Sequence, residues 1–423
     1  MFSRYHNVDD VRGLCIAAFW LSEVSWKLSG HAIRIATELN IHQSFTRALE
    51  GDREHFLRAR LWYMLYVCDH HFSIAYGRPP MIAESTQIRE HELFLASPFA
   101  GPLDARILSQ VALMQILTRV YERFAHRRLP DHHQVRYGSG AAAAHGADSS
   151  ADMLSEEDFV DLRNFNLEIE QWRMRWYARQ QNNRFIASFP PKGIILYSYF
   201  AKLQLNILAV RGVRLDSGKL STERKEFTNM AVSAAASILT FVLEEEDLRR
   251  ALVGTPLYVH TMIAFASVFL MKVATKWNRI MGFNIDYSYL NVSRLLEKMI
   301  ELLKNSVTSG RHVLHHIAAG LEKMLAKMTA EAESEQQGRA LHPTQPEQMG
   351  YQKATHYTPA PDAPYGTPMV PFPAQDWNSC TPQAQAQDFF GGGSTIMNDS
   401  LLYEAFGAES SSDVYSFLTS HFT

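Results

Sequence analysis

Apolar residues recur roughly every three or four positions from Val8 to about Met328, the spacing that lays one continuous stripe along an α-helix. Trp26–Leu39 carries Leu28, Ile33, Ile35, Ala36 and Leu39 on this period, and Ser25 in front of it is a predicted N-cap. In Leu57–Tyr76, Leu61, Leu65, Cys68 and Phe72 form one stripe, with Trp62, Tyr66 and Asp69 on the neighbouring one. Gly77 accepts a left-handed C-cap and Pro79-Pro80 cannot continue a helix, so this element is expected to stop there. Further helices are predicted at Leu103–Arg127, Ser155–Gln180, Ile194–Val213, Thr222–Leu243, Pro256–Trp277, Tyr289–Asn305 and Arg311–Met328. Ser155 with Asp158 reads as a capping box, and Pro256 and Gly310 mark ends. No run alternates apolar and polar residues between hairpin turns, so the expected fold class is all-α.

The period fails in two places. Residues 129–153 include GSGAAAAHGADSS, a low-complexity insert expected to be disordered. From about Glu331 the chain turns rich in Pro, Gln, Ser and Gly, which predicts a large multi-helix domain over 1–330 and a disordered tail over 331–423. Leu257–Met271 is the long apolar stretch, but it falls short of the roughly 18–20 residues a membrane span requires, so a buried core helix is expected and no membrane partner. Apolar residues at 46% and charged residues at 20% suit a globular chain, and a net charge of −3 gives no overall basic footprint for nucleic acid. Three scattered cysteines, Cys15, Cys68 and Cys380, share no metal-type spacing and suit a reducing compartment.

Catalytic chemistry finds no footing in the sequence. Gly212–Lys219 (GVRLDSGK) has the wrong spacing for a phosphate loop, and Leu220 stands where Ser or Thr is required. No nucleophile elbow is present. His312, His315 and His316 share a helical spacing, and His70-His71 and His132-His133 are adjacent pairs, but no thiol or carboxylate is spaced to complete a metal site. The basic and aromatic run Trp172–Arg184 places Trp172 and Trp176, and Arg175 and Arg179, four apart; it reads as an amphipathic helix with aromatics in and arginines out. The expectation is a protein that is not an enzyme.

One segment is more specific. Ala36, Leu39 and His42 form A-x-x-L-x-x-H at a helix end; Arg58, Trp62 and Asp69 form R-x-x-x-W-x-x-x-x-x-x-D; Gly77, Arg78 and Pro79 follow as G-R-P. In this order the three elements resemble the middle regulatory region of fungal binuclear zinc-cluster transcription factors, with Asn40 standing where that family usually has glycine. The motifs cover about sixty residues, Trp26–Ile82, and the helical continuation to about residue 328 fits the family's extent. The resemblance implies an all-helical regulatory domain between an N-terminal DNA-binding module, in which six cysteines hold two zinc ions, and a C-terminal activation segment. Three cysteines cannot supply that module, so zinc is expected only in a module missing from this chain and no cofactor within it. Promoter DNA would then be reached through the missing module or a partner factor, in the nucleus. A homodimer and a small-molecule effector are further partners the resemblance implies, with the Phe189–Phe200 and Leu257–Phe269 helices as pocket candidates.

Within the motif, Trp62 is expected to anchor the core with its indole N–H hydrogen-bonded, and Asp69 to pair with Arg78 so that the two lock the helix-to-turn corner. In the tail, no Lys or Arg follows Lys353, while seven acids, among them Glu404 and Asp413, sit between aromatics. Acids interleaved with aromatics describe a disordered activation segment whose anchors dock on a coactivator; Leu401, Leu402, Tyr403, Phe406, Tyr415 and Phe417 are the candidates. Two alternatives stay open: a regulator without its own DNA binding that dimerises with or sequesters a related factor, and a helical small-molecule-binding protein.

Overall fold

The computed structural model describes residues 5–21, 24–76, 79–125, 154–210, 221–274, 289–307, 309–310 and 312–341. Among them there is no strand, only an isolated antiparallel bridge between Asn183 and Ala187. The all-α class is what the structure has. The described residues divide into two units, one ending at Ala332 and the other beginning at Glu333. In the second unit the described residues are the last turns of one helix.

The first unit is a stack of helices. α1 (Val8–Trp20) opens on Asn7, whose side chain accepts from Asp9 N and Asp10 N. It packs along α2 (Ser25–Glu38), and α2 in turn packs on α4 (Arg53–Tyr76) beside the short α3 (Phe45–Leu49). α5 (Thr86–Arg89) and a 3-10 turn (His91–Ala96) lead to α6 (Pro102–Ala125), which lies on α4. α7 (Glu156–Tyr177) and α8 (Phe189–Asn206) follow, then α9 (Thr222–Glu244), α10 (Glu246–Ala251) and α11 (Leu257–Lys272). α12 (Tyr289–Ser306) and α13 (Val313–Leu341) close the order. α8 packs between α7 and α9, and α11 between α9 and α4, so the late helices return onto the early ones.

Burial follows the predicted stripes. Leu65, Tyr66 and Cys68 of α4, Leu203 and Leu205 of α8, Ile238 of α9, and Met262 and Leu270 of α11 have no exposed surface. Each such side chain contributes roughly 1.5–3 kcal/mol relative to exposure. Polar ties set the crossings. Arg60 grips Asp104 through two bonds of 2.6 and 2.7 Å and fixes α4 on α6. Asn166 and Asn206 exchange amide bonds between α7 and α8. The buried Arg224 gives its guanidinium to the carbonyls of Ala209 and Leu154.

The structure corrects several expected boundaries. Ser25 is not a cap; it is the first helical residue and is buried, with Val24 before it. α8 starts at Phe189 rather than Ile194, because Pro190 and Pro191 fall in the first turn, where a missing N–H costs nothing. α13 runs on to Leu341, carried by Ala, Glu, Gln and Arg, strong helix formers with no apolar period to reveal them. Leu257–Met271 is a core helix, buried almost throughout. Two other helical stretches, Phe189–Val210 and Thr222–Glu244, are long and apolar enough by composition to cross a membrane; inside this fold 83% and 50% of those windows are buried. In α7, Trp172 and Trp176 point inward while Arg175 reaches Glu92 at the surface, as the spacing predicts; the helix ends at Tyr177, before the expected Gln180, and Arg179 meets Glu92 from the turn beyond it.

Candidate functional site

Helix α4 is nucleated by Asp52, whose carboxylate accepts from the backbone N–H groups of Glu54 and His55 at 3.0 and 3.1 Å. It then presents Arg58, Trp62 and Asp69 at intervals of four and seven residues, hence on one side. Arg58 donates to the carbonyl of Leu39 at the end of α2, where carbonyls lack helical partners and a cation is favoured. The following residue, Asn40, sits at φ 56° and ψ 28°, the left-handed conformation that glycine and asparagine tolerate best. That explains why asparagine can replace glycine in the motif. His42 then folds its ring toward Trp62, 5.7 Å between centroids, and its carbonyl accepts from Gln87. Trp62 is buried, but its indole N–H has no hydrogen-bond partner among the described residues, against expectation.

Asp69 closes the other end. It is fully buried, and one carboxylate oxygen accepts from Met81 N at 2.7 Å and Ile82 N at 2.8 Å. The other oxygen has no partner among the described residues. Burial outweighs the two N–H donors and pushes the Asp69 carboxyl up to about 6. Gly30 of α2 completes the corner: a Cβ there would stand 3.2 Å from the Met81 sulfur, so the absence of a side chain lets the 79–82 segment lie against α2. Gly77 and Arg78 lie outside the described residues, and Pro79 is exposed. The corner is thus held by a carboxylate on backbone amides, and the motif residues that are described tie α2, α4 and the segment after α4 together. The tail positions Leu401, Leu402, Tyr403, Phe406, Tyr415 and Phe417 also lie outside the described residues, as do Gly212–Lys219 and His132-His133.

The histidines separate by environment. His70 is satisfied, its Nδ1 2.9 Å from the Tyr66 carbonyl and its ring 3.9 Å from that of Tyr66. His312 is not on a helix with His315 and His316, as expected from spacing; it precedes α13 and accepts from Leu314 N as a cap. Among the described residues no group of three His, Cys, Asp or Glu side chains is placed to hold a metal.

On another side of α4, Met64, Val67 and His71 line a cavity of about 190 Å³. Arg106 and Ile107 of α6 face them, and Tyr197 of α8 and Tyr258 of α11 close the space. The two helices proposed as pocket walls from sequence therefore each contribute a tyrosine. His71 and Arg106 were not foreseen. His71 stacks on Tyr258 at 3.9 Å and 8°, and neither of its ring nitrogens has a hydrogen-bond partner among the described residues. Burial drives its pKa down to about 3, which keeps the ring neutral.

Comparison with known proteins places these features in context. The family model described as the middle domain of the transcriptional activator of proteases prtT matches residues 14–328. The transcriptional activator of proteases prtT of Emericella nidulans is 46% identical over 339 residues, which is 77% of this chain and 47% of that protein. The chain therefore spans about half the length of the curated relative it matches. No solved structure matches.

Proposed function

This chain belongs to the family of the prtT middle domain, a domain of fungal zinc-cluster transcription factors, and on that premise we propose that it is the regulatory and activating part of a nuclear transcriptional activator of protease genes. The observation that carries the reading is the family match over 14–328, which runs from within α1 to within α13 and includes the Arg58, Trp62 and Asp69 corner. On this reading the body positions and restrains, and contact with promoter DNA is made by a six-cysteine zinc module or by a partner factor that carries one. The acidic and aromatic composition after Lys353 supports the second half of the reading, in which a coactivator groove accepts Leu401, Leu402, Tyr403 and Phe406, with Tyr415 and Phe417 as a second anchor.

The test is a tethering assay. The full chain is fused to an unrelated DNA-binding module and a reporter is placed under that module's site. Reporter output is expected, and it should collapse when Leu402 and Phe406 are both changed to Ala while protein level holds. A fusion that accumulates in the nucleus and leaves the reporter silent would overturn the activator reading. It would favour the regulator that acts by dimerising with a related factor.

A further inference from the structure

The cavity beside α4 has three properties that do not ordinarily occur together in a packed core. Its volume of about 190 Å³ exceeds the roughly 150 Å³ of an engineered apolar cavity that takes up benzene. Its wall is rich in rings, with Phe19, His71, Tyr197 and Tyr258 all facing it. And it contains polar groups left without partners. His71 is 3% exposed, lies on the cavity wall, and neither ring nitrogen has a hydrogen-bond partner among the described residues. A buried imidazole with both nitrogens unsatisfied costs stability unless something fills the space beside it.

Arg106 adds a charge. Its guanidinium lies 5.3 Å from the Phe189 ring centroid, it lines the cavity together with Tyr197, and it has no carboxylate partner among the described residues. Arg60, Arg119, Arg123, Arg163, Arg173, Arg175 and Arg179 all pair with acids. Asp104, two residues before Arg106, is already committed to Arg60. An unpaired cation at the edge of an apolar, ring-lined space selects an anion, and arginine favours the planar two-oxygen face of a carboxylate.

We propose that this cavity is a binding site for a small monocarboxylic acid with an aromatic body, the carboxylate held by Arg106, the ring stacked among Tyr197 and Tyr258, and a polar substituent meeting His71. His71 is neutral at physiological pH, so it offers one donor and one acceptor and does not require a charged group at that end. Because the site joins α4, α6, α8 and α11, an occupant stabilises the packing of the late helices on the early ones. The biological consequence, an effector acting on the regulatory body, rests on the activator reading above. The binding itself does not, so the two can fail separately.

The experiment uses the purified full chain, with phenylacetate as the acid and benzyl alcohol as its uncharged counterpart, followed by titration calorimetry and thermal unfolding. Phenylacetate is expected to bind and to raise the melting temperature, with benzyl alcohol at least about tenfold weaker. Arg106→Gln should weaken phenylacetate by about tenfold or more and leave benzyl alcohol within about twofold, and Ile107→Trp, which fills the space, should abolish both. Should Ile107→Trp not fold, His71→Leu serves with circular dichroism as the folding check, and loses affinity for 4-hydroxyphenylacetate more than for phenylacetate. Three results overturn the proposal: no heat and no melting shift with either probe, which would make the cavity a water-filled void; equal binding of acid and alcohol; or unchanged acid binding by Arg106→Gln.

Discussion

Asp69→Asn isolates what the buried carboxylate at the corner does. Its carboxyl is pushed up to about 6, against about 3.9 for an unfolded chain. A folded-state value above the unfolded one means that the native protein gains stability on protonation. That gain is complete below about pH 4 and is lost as pH rises through about 6. Between pH 7 and pH 5 Asp69 goes from about one tenth to about nine tenths protonated in the native state while staying ionised when unfolded, worth roughly 1 kcal/mol. The full span is roughly 3 kcal/mol. Asparagine can place its carbonyl oxygen where the carboxylate now accepts from Met81 and Ile82, and it does not titrate. The assay is urea unfolding of wild type and Asp69→Asn at pH 7 and pH 5. The native state should gain roughly 1 kcal/mol on the variant as pH falls. Subtraction removes His70, His71 and His260, whose values are pushed down to about 4, about 3 and about 4 by burial and which take stability away in both proteins as pH falls below about 6.5. A difference that does not change with pH, or one that moves the other way as a carboxylate paired with a cation would make it, refutes the reasoning.

Arg60→Ala should destabilise by about 3 kcal/mol in the same unfolding assay, because it strands Asp104, which is 1% exposed, with a lone backbone donor from Gly101; a loss below about 1 kcal/mol would mean that water reaches the carboxylate. Trp62→Phe should cost only about 1 kcal/mol, since the indole N–H has no partner among the described residues, whereas Trp62→Ala should cost about 3–5 kcal/mol; near-equal costs would reveal a bond to the indole. Asn40→Ala should lower stability by about 1 kcal/mol and Asn40→Gly leave it nearly unchanged, as read from melting temperatures, because only the left-handed backbone is at stake.

The long helices were legible because their apolar stripes repeat over many turns, and α4 and α9 begin and end within a few residues of where periodicity put them. Ends were less legible where the deciding physics carries no period: prolines admitted to the first turn of α8, or a polar stretch of good helix formers extending α13. At the corner, Asp69 accepts from the backbone amides of Met81 and Ile82, donors that no side-chain pattern announces, and its expected partner Arg78 lies outside the described residues. The α4 and α6 walls of the cavity were invisible for a different reason. His71 is unremarkable within α4 and becomes a wall only when α6, α8 and α11 converge on it, a fact of tertiary packing.

The polar ties of the early helices are short in sequence. Arg58 to Leu39 spans 19 residues, Asp69 to Met81 spans 12, and Arg60 to Asp104 and Gln87 to His42 span 44 and 45. Tyr258, by contrast, stacks on His71 across more than half of the helical body. Chain closure over short spans is fast and over long spans slow, and a ribosome delivers the N-terminal part first. α1 to α6 can therefore assemble as a nascent platform while α11 is still being synthesised. The face of α4 that carries His71 then waits, uncovered, as the landing surface on which the rest of the chain completes itself.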